Sequence, residues 1–364
     1  MTAVFLCGPW ACGPIRERLL PGEVRDGSLP GLELVTDASW VFPCSRICDS
    51  GVSSGVIGAA DDAAWGRICY LADVLDWTIV PRRIAGARVM AVLPPEGPPD
   101  LPRWELEAWA DRWQAIAAEA IDELMDLRDR RGADVVRGQM QMVYARAEAR
   151  VAARTPVPAT VRSATRRDTV EVIGRQTPHA GFFLTRAYEL RHPGFAGGMS
   201  PQVRREVFVA TDAAIVLPYD PRRDRVLLVE QFRMGPFGRG DARPWMLEPV
   251  AGRVDGGEDP AVTARRECEE EAGLALRGLE HISSHYCSPG CSTEYFHLFL
   301  GLCDLPEVEK GQGGLESEDE DIRTHVLGFE QAMDLLHSGE ADNGPLVLSL
   351  LWLQRERARL RASA

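Results

Sequence analysis

Residues 252–274, GRVDGGEDPAVTARRECEEEAGL, decide the fold and the chemistry of the second half of this chain. The stretch predicts one helix with clear ends. Asp259 suits the N-cap and Pro260 the first helical position, while Gly273 suits the C-cap. The residues between them are helix formers without interruption. We therefore expect a short helix that is approached by a glycine-rich loop.

Three carboxylates follow one face of this helix. Glu267, Glu270 and Glu271 stand at i, i+3 and i+4, a spacing that makes their side chains neighbours. Carboxylates this close repel one another unless they share cations. A hard cation such as Mg²⁺ or Mn²⁺ binds carboxylates, water and phosphate oxygens. The sequence therefore predicts a metal-dependent site whose substrate carries phosphates.

The whole stretch resembles the box of the Nudix hydrolases in its spacing. The matching positions are Gly252, Glu258, Arg266, Glu267, Cys268, Glu270, Glu271, Gly273 and Leu274. Cys268 is a small hydrophobic residue where an aliphatic one is usual. The alternative, a solvated acidic helix, would leave Gly252 and Glu258 unexplained. The resemblance implies a C-terminal Nudix domain, an α/β/α sandwich with a mixed sheet, over residues 161–364.

The resemblance also implies roles for the box residues. The metal ligands would be the side chains of Glu267 and Glu271, assisted by Glu270 and the backbone carbonyl of Ala251. Metal ions bridging two phosphates neutralise developing charge and lower the pKa of a bound water. Arg266 resembles the arginine that braces the loop through an ion pair, here with Glu258.

A general base is expected from the acidic loop that follows the box, residues 314–323, GLESEDEDIR. Within the resemblance Glu318 aligns best with this base, and Glu320 is the alternative. A solvated charge run is the competing interpretation of such a composition. A base on a loop would be positioned only when substrate fills the site.

Other stretches narrow the resemblance to the ADP-ribose pyrophosphatases. These are RREVFVATDAAIVLPYD at 204–220, VLLVEQFR at 226–233, LEPVAG at 247–252, SPGCSTE at 288–294 and EDEDIRTHV at 318–326. The resemblance implies hydrolysis of the ADP-ribose diphosphate to AMP and ribose 5-phosphate with Mg²⁺ or Mn²⁺. It also implies a homodimer that shares its binding site, with Phe182, Arg205, Arg233 and Glu294 contacting the substrate.

Two other functions stay open. Related pyrophosphatases act on other nucleoside diphosphate sugars and share much of this framework. A protein of a different class, a sensor that binds ADP-ribose or NAD without cleaving it, would use the same fold. Sensors of this kind often lose box glutamates, whereas this sequence has all of them, which favours an enzyme.

The first 97 residues are similar to γ-glutamylcyclotransferase-like domains, which implies a small β-barrel-like fold. The similarity is carried by FLCGPWACGPIRERLLPG at 5–22, where a strand leads into a glycine turn, and by a later Leu-Asp pattern. The catalytic glutamate of that family should fall about three residues after Asp76, but Ile79 stands there. Without this carboxylate no general acid or base is available for the proton transfer, so we expect an inactive accessory domain. Residues 98–160 predict a helical linker, and the fold class is α+β with α/β character.

Composition limits the partners. The formal net charge of −13 argues against general binding to nucleic acid backbones. No apolar run is long enough to cross a membrane, and the opening residues lack the pattern of a signal peptide. The nine cysteines are scattered and odd in number, which indicates free thiols in a reducing compartment. We expect a cytoplasmic protein.

Overall fold

The structure is a computed structural model that describes residues 1–163, 165–305 and 321–363. The chain forms two compact units, Met1–Glu206 and Val207–Ala364. The domain boundaries expected after residues 97 and 160 stay predictions. No helix among the described residues is both long and apolar enough to span a membrane.

The first sheet of unit 1 is built from the N-terminal residues. Its elements are β1 Thr2–Cys7, α1 Gly13–Leu19, β2 Val24–Val35, β3 Cys44–Ala60, α2 Asp62–Leu75, β4 Thr78–Ile84 and β5 Ala87–Leu93. The strand order is β2-β3-β1-β5-β4. This path is open, with β2 and β4 at its edges, so these strands form a sheet and not a closed barrel.

The glycine turn expected after β1 is present and tightly packed. Gly8 has a φ of +57°, and a Cβ there would lie 2.7 Å from Cδ1 of Leu34, so any other residue would be strained. Trp10 is fully buried. Its ring stacks on Trp77 with centroids 4.6 Å apart. Aromatic side chains therefore fill the space beside this turn, while the likeness to γ-glutamylcyclotransferases stays a prediction.

The expected helical linker contacts a second sheet, which lies in unit 1 apart from the last three residues of its third strand. The elements are α3 Leu106–Leu127, α4 Ala133–Arg137, α5 Met140–Ala152, β6 Glu171–Ala180, β7 Leu184–Arg191 and β8 Val203–Val209. Glu123 of α3 and Arg146 of α5 are 1% and 3% exposed and pair at 2.7 Å. Arg186 of β7, also buried, lies 3.7 Å from Glu123. A buried ion network thus joins the helices to β7.

Unit 2 has the layered arrangement that the box resemblance implies. Its described elements are β9 Asp212–Asp220, β10 Arg225–Phe232, α6 Met234–Arg239, β11 Trp245–Glu248, β12 Val250–Arg253, α7 Pro260–Ala272, β13 Gly278–Tyr286, β14 Tyr295–Leu302, β15 Arg323–Gly328, α8 Phe329–Ser338 and α9 Gly344–Ala362. The strands follow the order β11-β10-β9-β14-β13, with β12 paired to β9 and β15 to β10. The β9–β14 pair is parallel, and the other five pairs of this order are antiparallel.

Two apolar cores hold helices on the faces of this mixed sheet. On one face Cys268 of α7 is fully buried with Val216, so the cysteine serves as the apolar box residue. On the other face Leu350 and Leu353 of α9 pack against Leu217. Helices on both faces of a mixed sheet confirm the predicted α/β/α sandwich.

Asp224, in the turn between β9 and β10, anchors α9. It accepts hydrogen bonds from Arg357 Nε at 3.1 Å and from Tyr219 Oη at 2.7 Å. Burial raises the pKa of Asp224, but the bonds from Arg357 and Tyr219 outweigh burial and lower it. The ionised carboxylate therefore stabilises the folded state at pH values above its unfolded pKa, and this contribution disappears as pH falls through the folded pKa.

We expect Asp224→Asn to reduce the free energy of unfolding by about 2 kcal/mol at pH 7, because a hydrogen-bonded charge pair is broken. The loss should shrink as pH falls below the unfolded pKa and through the lowered pKa of Asp224, because the wild-type carboxylate then protonates too. Urea unfolding at several pH values measures it. Asp304→Asn is the control, since Asp304 is 56% exposed in its pair with Arg277. An equal loss at every pH would contradict the role of ionisation.

Candidate active site

The box helix α7 has the ends that the sequence predicts. The side chain of Asp259 accepts a hydrogen bond from the backbone N–H of Ala261 at 2.8 Å. Pro260 is the first helical residue, and Gly273 ends the helix with a φ of +61°. The local capping signals therefore fix the position of the glutamates along α7.

Strand β12 brings the backbone of the box against α7. Gly252 pairs with Ala214 of β9, and a Cβ on Gly252 would overlap the carboxylate of Glu267. Glu271 is 2% exposed. Its Oε2 lies 3.4 Å from the backbone nitrogen of Ala251. Glu267, Glu271 and Ala251, three of the predicted metal ligands, thus meet where the helix touches the strand.

Arg266 shares its guanidinium among three carboxylates. Its nitrogens lie 3.2 Å from Glu258, 2.7 Å from Glu267 and 2.8 Å from Glu270. Burial raises the pKa of Glu258, but the hydrogen bonds from Arg266 and Thr263 outweigh burial and lower it. The Arg266–Glu258 pair is therefore formed, and its bracing role stays a prediction.

The chemistry of this group suits a divalent cation. Arg266 has three carboxylates around it, so negative charge exceeds positive charge, and the donors of the group are carboxylate oxygens. Such hard oxygen donors fit Mg²⁺ or Mn²⁺. Across residues 1–163, 165–305 and 321–363, no three His, Cys, Asp or Glu side chains converge to hold a metal. Glu267 and Glu270 are instead turned to Arg266, which relieves their repulsion.

A cleft of about 360 Å³ opens beside β12. Its lining includes Arg233, Glu248, Ala251, Glu294 and Asn343. Two of the residues expected to contact substrate, Arg233 and Glu294, therefore share a cleft with the predicted metal ligand Ala251. The other two, Phe182 and Arg205, lie in unit 1, where Phe182 is 59% exposed. Their substrate contacts stay predictions, and Glu318 and Glu320 lie outside the described residues.

Two cleft residues were missed by sequence reasoning. Glu248 accepts a hydrogen bond from Arg233 Nε at 2.7 Å. Burial raises the pKa of Glu248, although the charge of Arg233 opposes this rise. Asn343 donates to the carbonyl of Leu247 at 2.7 Å and also caps α9. The sequence feature that could have indicated Glu248 is that it is the one acidic residue in the apolar stretch LEPVAG, which ends at Gly252.

Comparison with known proteins decides the family. Residues 209–350 match the NUDIX domain. Over 196 residues the chain is 43% identical to an ADP-ribose pyrophosphatase of Haemophilus influenzae. The matched region covers 53% of this chain and 90% of that protein. The chain belongs to the NUDIX family. The chain is also 42% identical to an Escherichia coli K12 ADP-ribose pyrophosphatase, over 53% of this chain and 91% of that protein. It is 33% identical to an Escherichia coli SMS-3-5 GDP-mannose pyrophosphatase, over 42% of this chain and 78% of that protein.

Proposed function

We propose that this chain hydrolyses the diphosphate bond of ADP-ribose to AMP and ribose 5-phosphate with the help of Mg²⁺ or Mn²⁺. The observation that carries the proposal is 43% identity along 90% of an ADP-ribose pyrophosphatase. The complete set of box glutamates beside an open cleft supports it, because a protein that only binds ligand has no need of them.

Each group of the cleft has a separate task in this proposal. Glu267, Glu271 and the Ala251 carbonyl would hold the cation with help from Glu270. When bound, the cation supplies charge neutralisation for the diphosphate and makes a bound water more acidic. Arg266 reduces repulsion among the carboxylates. Arg233, held by Glu248 at 2.7 Å, presents a guanidinium suited to phosphate oxygens or to a base.

A second candidate substrate is another nucleoside diphosphate sugar. The relative named GDP-mannose pyrophosphatase favours it, at 33% identity over 78% of its length. ADP-ribose stays first because both identity and coverage are higher for its pyrophosphatases. We also propose a cytoplasmic homodimer. All nine cysteines lie in the described residues and are free, as a reducing compartment requires.

The test measures phosphate release, after coupling to a phosphatase, from ADP-ribose, GDP-mannose, NADH and a diadenosine polyphosphate. Each substrate is assayed with Mg²⁺ and with EDTA. We expect metal-dependent turnover that is highest for ADP-ribose. Higher turnover of GDP-mannose would select the second candidate. A rise in Tm with ADP-ribose but no hydrolysis of any substrate would make the protein a sensor.

The catalytic base is proposed to be Glu318. We expect Glu318→Gln to lower kcat by about a hundredfold or more, because a positioned base contributes this much to proton transfer. The metal concentration for half-maximal rate should not change. Glu320→Gln is the matched control in the same acidic loop and should keep its activity. The reverse pattern would assign the base to Glu320.

A further inference from the structure

Two exposed thiols stand at the tip of the β13–β14 hairpin. Cys287 directly follows β13, and Cys291 lies four residues later. The backbone N–H of Cys291 donates to the carbonyl of Ser288 at 3.1 Å, which closes a turn whose ends approach within about 7 Å. Ser288 Oγ lies 3.3 Å from Cys291 Sγ. Cys291 is therefore the last residue of this turn, and Cys287 directly precedes its first residue.

One of these thiols contacts the cleft. Cys287 Sγ donates to Glu294 Oε2 at 2.9 Å, and the backbone N–H of Cys287 donates to the Glu294 carbonyl at 3.2 Å. Glu294 in turn lines the cleft that also holds Arg233. Any change at the Cys287 sulfur thus removes a hydrogen bond from a carboxylate of the site.

We propose that Cys287 and Cys291 form a modification site, at which a small disulfide compound oxidises the pair to an intramolecular disulfide and lowers turnover. Its effect on turnover rests on the proposed function, whereas formation of the disulfide does not. The disulfide withdraws the thiol donor from Glu294 and tightens the turn. The carboxylate then loses the contact that holds it at the cleft wall.

The oxidation needs two thiol exchange steps. First, the Cys291 thiolate attacks one sulfur of the small disulfide, which releases one thiolate and leaves a mixed disulfide. Second, the Cys287 thiolate attacks the Cys291 sulfur and expels the second thiolate. Two electrons pass to the small disulfide, and the two released thiolates take up the protons.

The order of attack follows from the surroundings of Cys287. Burial and the hydrogen bond to Glu294 raise the pKa of the Cys287 thiol to about 11, so little thiolate is present there at neutral pH. The second step is then carried by the small fraction of Cys287 that loses its proton to the solvent. Cys291 is therefore the thiol that reacts first.

The test treats the full chain with oxidised glutathione and measures both the masses of its peptides and ADP-ribose turnover. We expect the peptide containing both cysteines to lose two hydrogen atoms. We expect kcat/KM to fall by about tenfold, as for loss of a hydrogen bond to a charged group. Dithiothreitol should restore both. Cys291→Ser should have normal activity when reduced and lose this response, whereas Cys69→Ser, in α2, should keep it.

Three outcomes would overturn the inference. They are a glutathione adduct without an intramolecular disulfide, a disulfide that leaves turnover unchanged, and equal inactivation of Cys291→Ser. If ADP-ribose is not a substrate, the mass change still reports the disulfide, and the rise in Tm with ADP-ribose reports the cleft. Failure of the proposed function is thereby separated from failure of the thiol site.

Discussion

Replacing Glu271 by Gln is expected to abolish metal-dependent hydrolysis, with kcat lower by about a thousandfold, the upper range for loss of one electrostatic contact at a reacting centre. Glu271 is 2% exposed and lies against the backbone of β12. Glutamine keeps the shape and removes the charge that a cation needs. The measurement is the initial rate of ADP-ribose hydrolysis over a range of Mg²⁺ concentrations.

Glu269→Gln provides the matched control for Glu271→Gln. Glu269 is on the same helix but is exposed, so its replacement should change neither kcat nor the metal dependence. Tm should be similar for both variants and the wild type, which separates catalysis from folding. Normal turnover of Glu271→Gln in Mg²⁺ would remove Glu271 from the proposed metal ligands.

Gly252→Ala is expected to have the second largest effect, a loss of about a hundredfold in kcat, because a misplacement of about 1 Å at a reacting group has this cost. The added Cβ would overlap the Glu267 carboxylate. The carboxylate must move, since the backbone of Gly252 is fixed by its pairing with Ala214. The free energy of unfolding should change little, because the overlapped atoms are the far end of a flexible side chain.

Gly66→Ala is the control, because the structure has space for a Cβ atom at Gly66. Nothing lies within 4 Å of a Cβ at Gly66, which is inside α2. Alanine there should raise the free energy of unfolding by about 0.5–1 kcal/mol and leave turnover unchanged. Assay of both variants by hydrolysis and by urea unfolding distinguishes the steric effect from a general one. Wild-type turnover by Gly252→Ala would show that Glu267 can be displaced without loss.

The sequence predicts α7 well because the determinants of that helix are local. Asp259 and Gly273 specify its ends through backbone geometry within one turn. The glycine at position 252 was also predicted, because the spacing of the box specifies a glycine there. The placement of Arg233 and Glu294 at one cleft came from the resemblance to a family and not from periodicity.

What the sequence could not predict depends on distant pairing. Glu248 contacts Arg233 because β11 lies beside β10 in the sheet. The order of strands in a sheet cannot be predicted from a local sequence pattern. Asp224 binds Arg357 across 133 residues of chain. Glu267 and Glu270 turn toward Arg266 because its guanidinium lies within ion-pair distance of both. Helical spacing alone predicted that the three carboxylates share one face of α7, and it did not predict these ion pairs.

The buried network at Glu123 limits how this protein can be divided. The region shared with the Haemophilus influenzae relative covers 53% of the chain, which is more than the second unit, so the shared region reaches into the first. Arg186 of β7 is 6% exposed and has Glu123 of the helical segment beside it. Cutting the chain at residue 161 would leave that arginine without its carboxylate. The helical segment therefore cannot be removed without taking from Arg186 both of its neighbouring carboxylates, Glu123 and Asp126.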